Sequence, residues 1–345
     1  MIRVDPDAPD PAALAPAADC LRRGGLVAFP TETVYGLGAH ALDRTAVRRL
    51  FEAKGRPATD PLIVHLSDAD RVNELAVDVP DAARALASRF WPGPLTLVLR
   101  RSPRVPDEVT AGLDTVAIRV PAHPVARALL SAAAIPVAAP SANLFSRPSP
   151  TRASHVLDDL GGRIDLVVDG GPTQVGVEST VLDLSREVPT ILRPGAVSLA
   201  MLQEVLPRVL QGAGAASPTG AMPSPGLLER HYAPRAPLTV YEGADAAARL
   251  ARDACDLIAD GHRVGIMAAD EDRAQLNGLA RHAPQASVVY LGSERDLGSV
   301  ASRLYAAMRE LDASGVDRIL ARGFPGDEGL AVAIRDRLRR ASAKA

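Results

Sequence analysis

LVAFPTETVYGLGAHALDRTAVRRLFEAKGRPATDPLIVHL, residues 26–66, runs from strand through helix to strand. LVAFP (26–30) is a short apolar run and reads as a buried strand. Asp43 then stands as the N-cap of a helix, DRTAVRRLFEAKG, with Val47, Leu50 and Phe51 at helical spacing and Gly55 as its stop. PLIVHL (61–66) is a second strand. Strand and helix alternating at this length predict an α/β or α+β domain.

The same reading extends outward. PDAARALASRF (80–90) and PVARALLSAAA (124–134) predict helices, the second leading into the apolar run IPVAA. TLVLR (96–100), TVAIRV (115–120), LVVDGG (166–171), STVLDL (179–184) and PTILR (189–193) predict strands. SLAMLQEVLPRVL closes this half. The mixture implies a twisted, mixed sheet. From 211 to 236 the periodicity disappears and Gly, Ala, Ser and Pro dominate, which predicts a linker or long loop. From 237 onward strands and helices alternate strictly, the pattern of a small parallel, doubly wound domain. The expected division is therefore 1–210, a linker at 211–236, and 237–345.

Composition narrows the function. The 345 residues are 47% hydrophobic and 23% charged, with a formal charge of −2. That balance offers no basic footprint for sequence-independent nucleic-acid binding. Two cysteines, Cys20 and Cys255, provide neither a zinc spacing nor a disulfide framework. The first twenty residues lack a basic region followed by an apolar one, so no signal peptide is expected, and no apolar run is long enough for a membrane span. A cytoplasmic location follows as the expectation. Only two of the 39 basic residues are Lys, at Lys54 and Lys344. Lys54 is thus the one internal ammonium in a chain that otherwise uses Arg, and a compact point charge suits phosphate or carboxylate. Capping of the preceding helix is the plainer alternative.

The common catalytic signatures, from the Gly-rich phosphate loop to the zinc and nucleophile-elbow motifs, are missing. Polar residues instead gather at strand ends. PTETVYGLG (30–38) projects Thr and Glu side chains just beyond a strand, and KGRP flanks a glycine with Lys54 and Arg56. Arg119 lies inside the apolar strand AIRVP, where a buried guanidinium demands a carboxylate, from the protein or from a ligand. Ser141 and Asn143 in APSAN, Ser179 and Thr180 in GVESTVLD, and Arg193 in LRPG complete the set. Many hydroxyls, several cations and no nucleophile paired with a base suit the binding of a triphosphate and a small zwitterion. FWPGPLTLVL (90–99) reads as a rigid turn with an aromatic anchor.

In this order, PTETVYGLG, KGRP with PLIVH, FWPGPLTLVL, VAIRVPAHP, APSAN with SRPSPT, GVESTVLD and LRPG resemble the YrdC-like family of L-threonylcarbamoyladenylate synthases. SPGLLERHYAPRAPL (224–238) followed by an α/β domain is similar to the family's long form. The resemblance implies an N-terminal YrdC-like domain with a twisted mixed sheet and a smaller C-terminal Rossmann-like parallel domain. It implies an adenylyltransferase that makes threonylcarbamoyl-AMP and pyrophosphate from L-threonine, bicarbonate or CO₂, and ATP with Mg²⁺. The product would pass to a tRNA threonylcarbamoyl transferase for adenosine 37 of ANN-decoding tRNAs; the slightly negative charge predicts weak direct tRNA contact at most. Carried over, Lys54, Arg56, Ser141 and Asn143 match the catalytic tetrad. Thr33, His65, Arg119, Ser141 and Ser179 match the L-threonine site. Arg56, Asp60, Thr115, Asn143, Thr151, Arg193 and Tyr232 match the ATP site. Asp60 departs from the Asn that relatives often carry, and an acid there repels phosphate unless a cation compensates it. No protein side chain is assigned to metal. The linker, with Arg230, His231 and Tyr232, is expected to act as a lid.

Three other readings compete. An RNA-binding module needs a basic face with stacking aromatics, and aromatics are only 3%. A carbamoyl-phosphate-dependent maturation protein would carry zinc-finger cysteines. A relative with a different small substrate would lack the Thr33, Arg119 and Ser179 set.

Overall fold

The computed structural model describes residues 1–212 and 220–343. Part of the expected linker, 213–219, and the tail lysine Lys344 lie outside the described residues. The chain divides into two units. The first comprises Met1–Phe145 and Ser149–Leu227, the second Ser146–Pro148 and Leu228–Ala345. The division falls inside the segment read as a linker, because its residues up to Leu227 cluster with the first unit and those from Leu228 with the second.

The first unit is built on one mixed sheet of eleven described strands. They are β1 (Ile2–Arg3), β2 (Val27–Pro30), β3 (Tyr35–His40), β4 (Ile63–His65), β5 (Leu95–Arg100), β6 (Thr115–Arg119), β7 (Val137–Ala138), β8 (Leu166–Asp169), β9 (Thr180–Asp183), β10 (Thr190–Arg193) and β11 (Leu210–Gln211). Their spatial order is β1-β8-β2-β3-β7-β4-β6-β5-β9-β10-β11. Parallel pairs such as β4 with β6 are mixed with antiparallel ones such as β5 with β6. The mixed sheet expected from the sequence is present.

Pleating sorts the side chains, since successive residues of a strand face opposite sides. One face carries Ala28, Leu37, Val64, Leu97, Ile118 and Leu182 into the larger core. At one end of the other face, helices Pro11–Arg22 and Pro124–Ala133 cover Val27, Phe29, Val137 and Val168. Farther along that face, Ile63, Val98, Ala117, Val181 and Leu192 form a small apolar cluster with Leu227 of the linker against it. By alternation His65, Thr96 and Arg119 stand on the same face, so the polar site is bounded by helices on one side and by the linker on the other.

Two elements go beyond those read from the sequence. The PTETVYGLG segment does not stay a loop after its turn: β3 returns antiparallel to β2, pairing Val27 with Gly38 and Phe29 with Gly36. A Cβ on Gly38 would lie 2.9 Å from both Phe29 and Val137, so glycine lets this strand pass under the aromatic ring. The Pro/Ala-rich N-terminus forms helix Pro11–Arg22, with Asp10 capping it through the Ala12 amide and Pro at its first position.

The second unit has a four-stranded parallel sheet of β12 (Leu238–Tyr241), β13 (Val264–Ala268), β14 (Ala286–Tyr290) and β15 (Arg318–Arg322), ordered β12-β15-β13-β14. Helices Ala246–Ala259, Arg273–His282, Leu297–Ala313 and Gly329–Ser342 connect and flank these strands. The unit has its own apolar cluster, including Leu250, Val264, Ile266 and Leu320. Among the described residues, no helix is long and apolar enough to cross a membrane.

Candidate active site

Residues from five separate motifs meet on the open face of the first sheet. β4 and β6 are parallel neighbours with His65 opposite Arg119. Both side chains are buried, and Arg119 is held on three sides. Its Nε donates to the Gly93 carbonyl at 3.2 Å, its Nη1 donates to Thr33 Oγ1 at 3.0 Å, and its Nη2 lies 2.6 Å from Glu32 Oε1. The sequence left open whether the partner of Arg119 belongs to the protein or to a ligand. The protein partner is Glu32.

The turn that presents Thr33 and Glu32 is wired by Thr31. Thr31 Oγ1 donates to the Val34 carbonyl and accepts from the Thr33 and Val34 amides. The two threonine hydroxyls are 2.8 Å apart. Because the Thr31 proton is committed to Val34, the Thr33 hydroxyl donates to Thr31 and accepts from Arg119. The GVES loop straps the turn from outside, with the Val175 and Gly176 amides donating to the carbonyls of Glu32 and Thr33. Burial and the nearby Arg119 guanidinium push His65 down to about 3, so its imidazole is neutral across the physiological range. Phe29 meets it edge-on, with ring centroids 6.5 Å apart.

A second group surrounds Asp60. Lys54 ends helix Arg44–Lys54, and Gly55 stops that helix in a left-handed conformation (φ 63°), as expected. Lys54 turns inward and donates its ammonium to the carbonyls of Ser141 and Asn143. Through these bonds the lysine fixes the APSAN loop. Arg56 is anchored by the Asp60 and Pro61 carbonyls, and its Nη2 lies 3.0 Å from Asp60 Oδ2. Arg193 donates to the Ser179 carbonyl, to Ser179 Oγ and to the Pro225 carbonyl. Asp60 therefore lies in the field of Arg56, Arg193 and Lys54, while complete burial pushes its carboxyl above the ordinary range. The compensating cations that the sequence required are present.

Ser179 joins the two groups. Its hydroxyl accepts from Arg193 and lies 2.8 Å from Thr96 Oγ1. Asn143 donates its side-chain amide to the Leu144 carbonyl. Thr115 shares the strand face of Ala117 and Arg119 but starts β6, about 13 Å of strand from Arg119. Thr151 is buried, and its carbonyl accepts from the Thr173 amide. Tyr232 belongs to the second unit, where its ring packs on Tyr305 at 5.5 Å and beneath the Arg337 guanidinium. Residues 221–227 belong to the first unit: the Met222 amide donates to the Thr59 carbonyl, and Ser224, Pro225 and Gly226 are buried.

Sequence reasoning missed Thr31, Thr96 and the Gly93 carbonyl. Thr96 was accessible from strand alternation with Val98. Gly93 lies in the turn read only as an aromatic anchor, and a Cβ there would lie 2.3 Å from the Phe90 carbonyl oxygen.

The chain matches two family profiles. The Sua5/YciO/YrdC profile, described as telomere recombination, matches residues 19–195. That of the threonylcarbamoyl-AMP synthase C-terminal domain matches residues 197–343. The chain belongs to the threonylcarbamoyl-AMP synthase family. A threonylcarbamoyl-AMP synthase of Pyrococcus abyssi (strain GE5 / Orsay) is 45% identical over 94% of this chain and 93% of its own length. One of Bacillus subtilis (strain 168) is 44% identical over 95% of this chain and 92% of its own length. The crystal structure of P. abyssi Sua5 complexed with L-threonine superposes with a TM-score of 0.90 at 41% identity, covering 99% of this chain and 97% of that one. The two-domain organisation of the threonylcarbamoyl-AMP synthase family thus extends along nearly the whole chain.

Proposed function

We infer that this chain condenses L-threonine, bicarbonate or CO₂, and ATP into threonylcarbamoyl-AMP, releasing pyrophosphate and, from bicarbonate, water. The observation that carries the reading is one sheet face bearing a cationic cradle of Lys54, Arg56 and Arg193 beside the Arg119–Thr33 pocket. The P. abyssi relative, solved with L-threonine, supports threonine as the amino acid.

The ammonium of threonine first loses a proton to solvent, and the free amine adds to CO₂ and releases a second proton to give a carbamate, whose oxygen attacks the α-phosphorus while pyrophosphate leaves. A carbamate is already anionic, so the step needs positioning and charge neutralisation more than a strong base. Arg119 binds the threonine carboxylate, Thr33 and Ser179 contact its polar groups, and neutral His65 faces the same pocket. Lys54, Arg56 and Arg193 neutralise the phosphates, with Ser141 and Asn143 setting the loop that Lys54 holds. Thr115 and Thr151 line the nucleotide's more distant part. Tyr232 is assigned to the nucleotide by resemblance alone. Mg²⁺ would come on the phosphate oxygens of ATP, and no side chain of this chain is assigned to it. Bound there, the metal supplies charge neutralisation to the leaving pyrophosphate. The product is a labile mixed anhydride, so an acceptor, a tRNA threonylcarbamoyl transferase, must consume it. Residues 221–227 act as a lid that keeps water away.

The test is pyrophosphate release from ATP and bicarbonate with L-threonine, L-serine, L-valine or no amino acid. Release that requires both threonine and bicarbonate is expected, and Lys54→Ala and Arg119→Ala should each lower it at least a hundredfold. Equal release with every amino acid, or none with any, overturns the reading.

A further inference from the structure

The polar atoms left without partners beside Arg119 concern the substrate's nitrogen. Glu32 is among the most buried carboxylates of the first unit, its side chain only 7% exposed. Neither of its carboxylate oxygens accepts a hydrogen bond from the protein. Arg119 Nη2, although 2.6 Å from Oε1, is not aligned to donate to it and has no other acceptor. His65 Nδ1, on the neighbouring strand, is likewise buried without a partner. A buried ion that lacks its hydrogen bonds carries an uncompensated desolvation cost, so such groups are rarely left idle. Here a negative and a positive one lie side by side at the mouth of the turn that also presents Thr33.

We propose that Glu32 is the ligand of the substrate's α-ammonium group and thereby selects a zwitterionic amino acid over a simple carboxylate. This rests on the functional reading above and adds a residue to it. The argument is electrostatic. Arg119 is already neutralised by Glu32, so a lone carboxylate arriving at Arg119 would bring a net negative charge into a buried place, next to a second carboxylate. A zwitterion brings none: its carboxylate takes the remaining N–H groups of Arg119, and its ammonium takes the open oxygens of Glu32. The pair of charges in the protein and the pair in the substrate then complement each other head to tail. The same contact holds the nitrogen that must be carboxylated in a fixed place relative to the carboxylate.

The position of Glu32 is well determined. The Val175 amide binds its carbonyl, the Gly176 amide binds that of Thr33, and Thr31 closes the turn. Arg119 retains Gly93 and Thr33 as partners if the carboxylate is removed. Glu32→Gln therefore keeps the shape of the pocket and changes its charge.

The experiment compares binding of L-threonine with binding of 2,3-dihydroxybutyrate, the same molecule with hydroxyl in place of the amine, by calorimetry on the full chain. The wild-type chain should bind threonine at least fiftyfold more tightly. In Glu32→Gln, threonine should weaken at least tenfold while dihydroxybutyrate tightens at least threefold, because Arg119 is left in need of a counter-ion. Opposite movement of the two ligands is the signature that a purely structural counter-ion would not give. Parallel loss of both, or no change in either, overturns the proposal. If Glu32→Gln fails to fold, Glu32→Asp serves: withdrawing the carboxylate by one methylene should raise KM for threonine at least tenfold and leave KM for ATP within twofold. An unchanged threonine KM overturns the proposal. Failure of the functional reading shows separately, as absence of threonine-dependent pyrophosphate release from the wild-type chain.

Discussion

On the proposed reading, Asp60 carries the charge that an arriving triphosphate must displace. It sits 3.0 Å from Arg56 with Arg193 and Lys54 also in its field, and burial raises its carboxyl above the ordinary range. Arg56 does not depend on that carboxylate for its place, since two backbone carbonyls hold it. Asp60→Asn should therefore keep the cradle, remove one opposing charge, and lower KM for ATP about three- to tenfold with kcat nearly unchanged; a higher KM would instead assign Asp60 to the Mg²⁺ of ATP. His65 gives a prediction of stability. Its folded pKa is about 3, pressed down by burial and by Arg119, against an ordinary value of 6.5. Above pH 6.5 the imidazole is neutral in both folded and unfolded chains and contributes no pH dependence. Below it the unfolded chain takes up a proton that the folded chain refuses, and stability falls as pH drops towards 3. At pH 5 the loss is about 2 kcal/mol. Urea unfolding at pH 7 and pH 5 should show this loss in the wild-type chain. His65→Gln should remove most of it, leaving the smaller part due to His123 and His40, which burial also depresses. An undiminished loss in that variant would place the acid sensitivity elsewhere.

Strand ends, more than strands, make the site, and they are where sequence and structure diverge. The apolar runs at β2, β4, β5 and β6 and the amphipathic helix Arg44–Lys54 were legible, because burial on a sheet face or a helix stripe writes a period into the sequence. β3 was not, because Gly36 and Gly38 replace the apolar residues that would mark it, and they do so to let Phe29 and the strand pass each other. Cations at strand ends could be read one by one. Their partners could not: Glu32 meets Arg119 only because the sheet brings the β2–β3 turn beside the end of β6, and no local pattern encodes that meeting. The β9–β10 hairpin illustrates how tightly such ends are set. A Cβ on Gly195 would lie 2.4 Å from the Thr180 amide nitrogen and 2.6 Å from the Glu178 carbonyl oxygen. Backbone cannot move aside as a side chain does, so Gly195→Ala must push the turn after β10 away from the start of β9. Arg193 and Ser179, which bind each other across that gap, would separate. KM for threonine and for ATP should each rise at least tenfold, with a lower melting temperature. A change in melting temperature alone would show that the hairpin absorbs the strain without disturbing the site.

Across the whole molecule, the boundary between the two units leaves residues 221–227, the proposed lid, in the first. Residues 221–227 are held there by the Met222 amide on Thr59, by Pro225 on Arg193, and by Leu227 against Ile63, Val98, Ala117, Val181 and Leu192. Both larger cores of that unit lie within residues 1–210, so a chain ending at 210 should still fold. It should lose about 1–2 kcal/mol from exposure of the small cluster under Leu227. Its chemistry should suffer differently from its stability. Pyrophosphate release requires only that the reactants meet, and it should continue. Survival of the mixed anhydride requires that water be kept out, so the yield of intact threonylcarbamoyl-AMP per pyrophosphate should fall at least fivefold. A chain ending at 227 retains every contact named above and should keep a ratio close to that of the full chain. Chromatography of the adenylate against a pyrophosphate assay on the three chains measures this directly. If the chain ending at 227 loses as much intermediate as the one ending at 210, residues 221–227 do not shield the site by themselves, and the shielding must come from residues beyond Leu227.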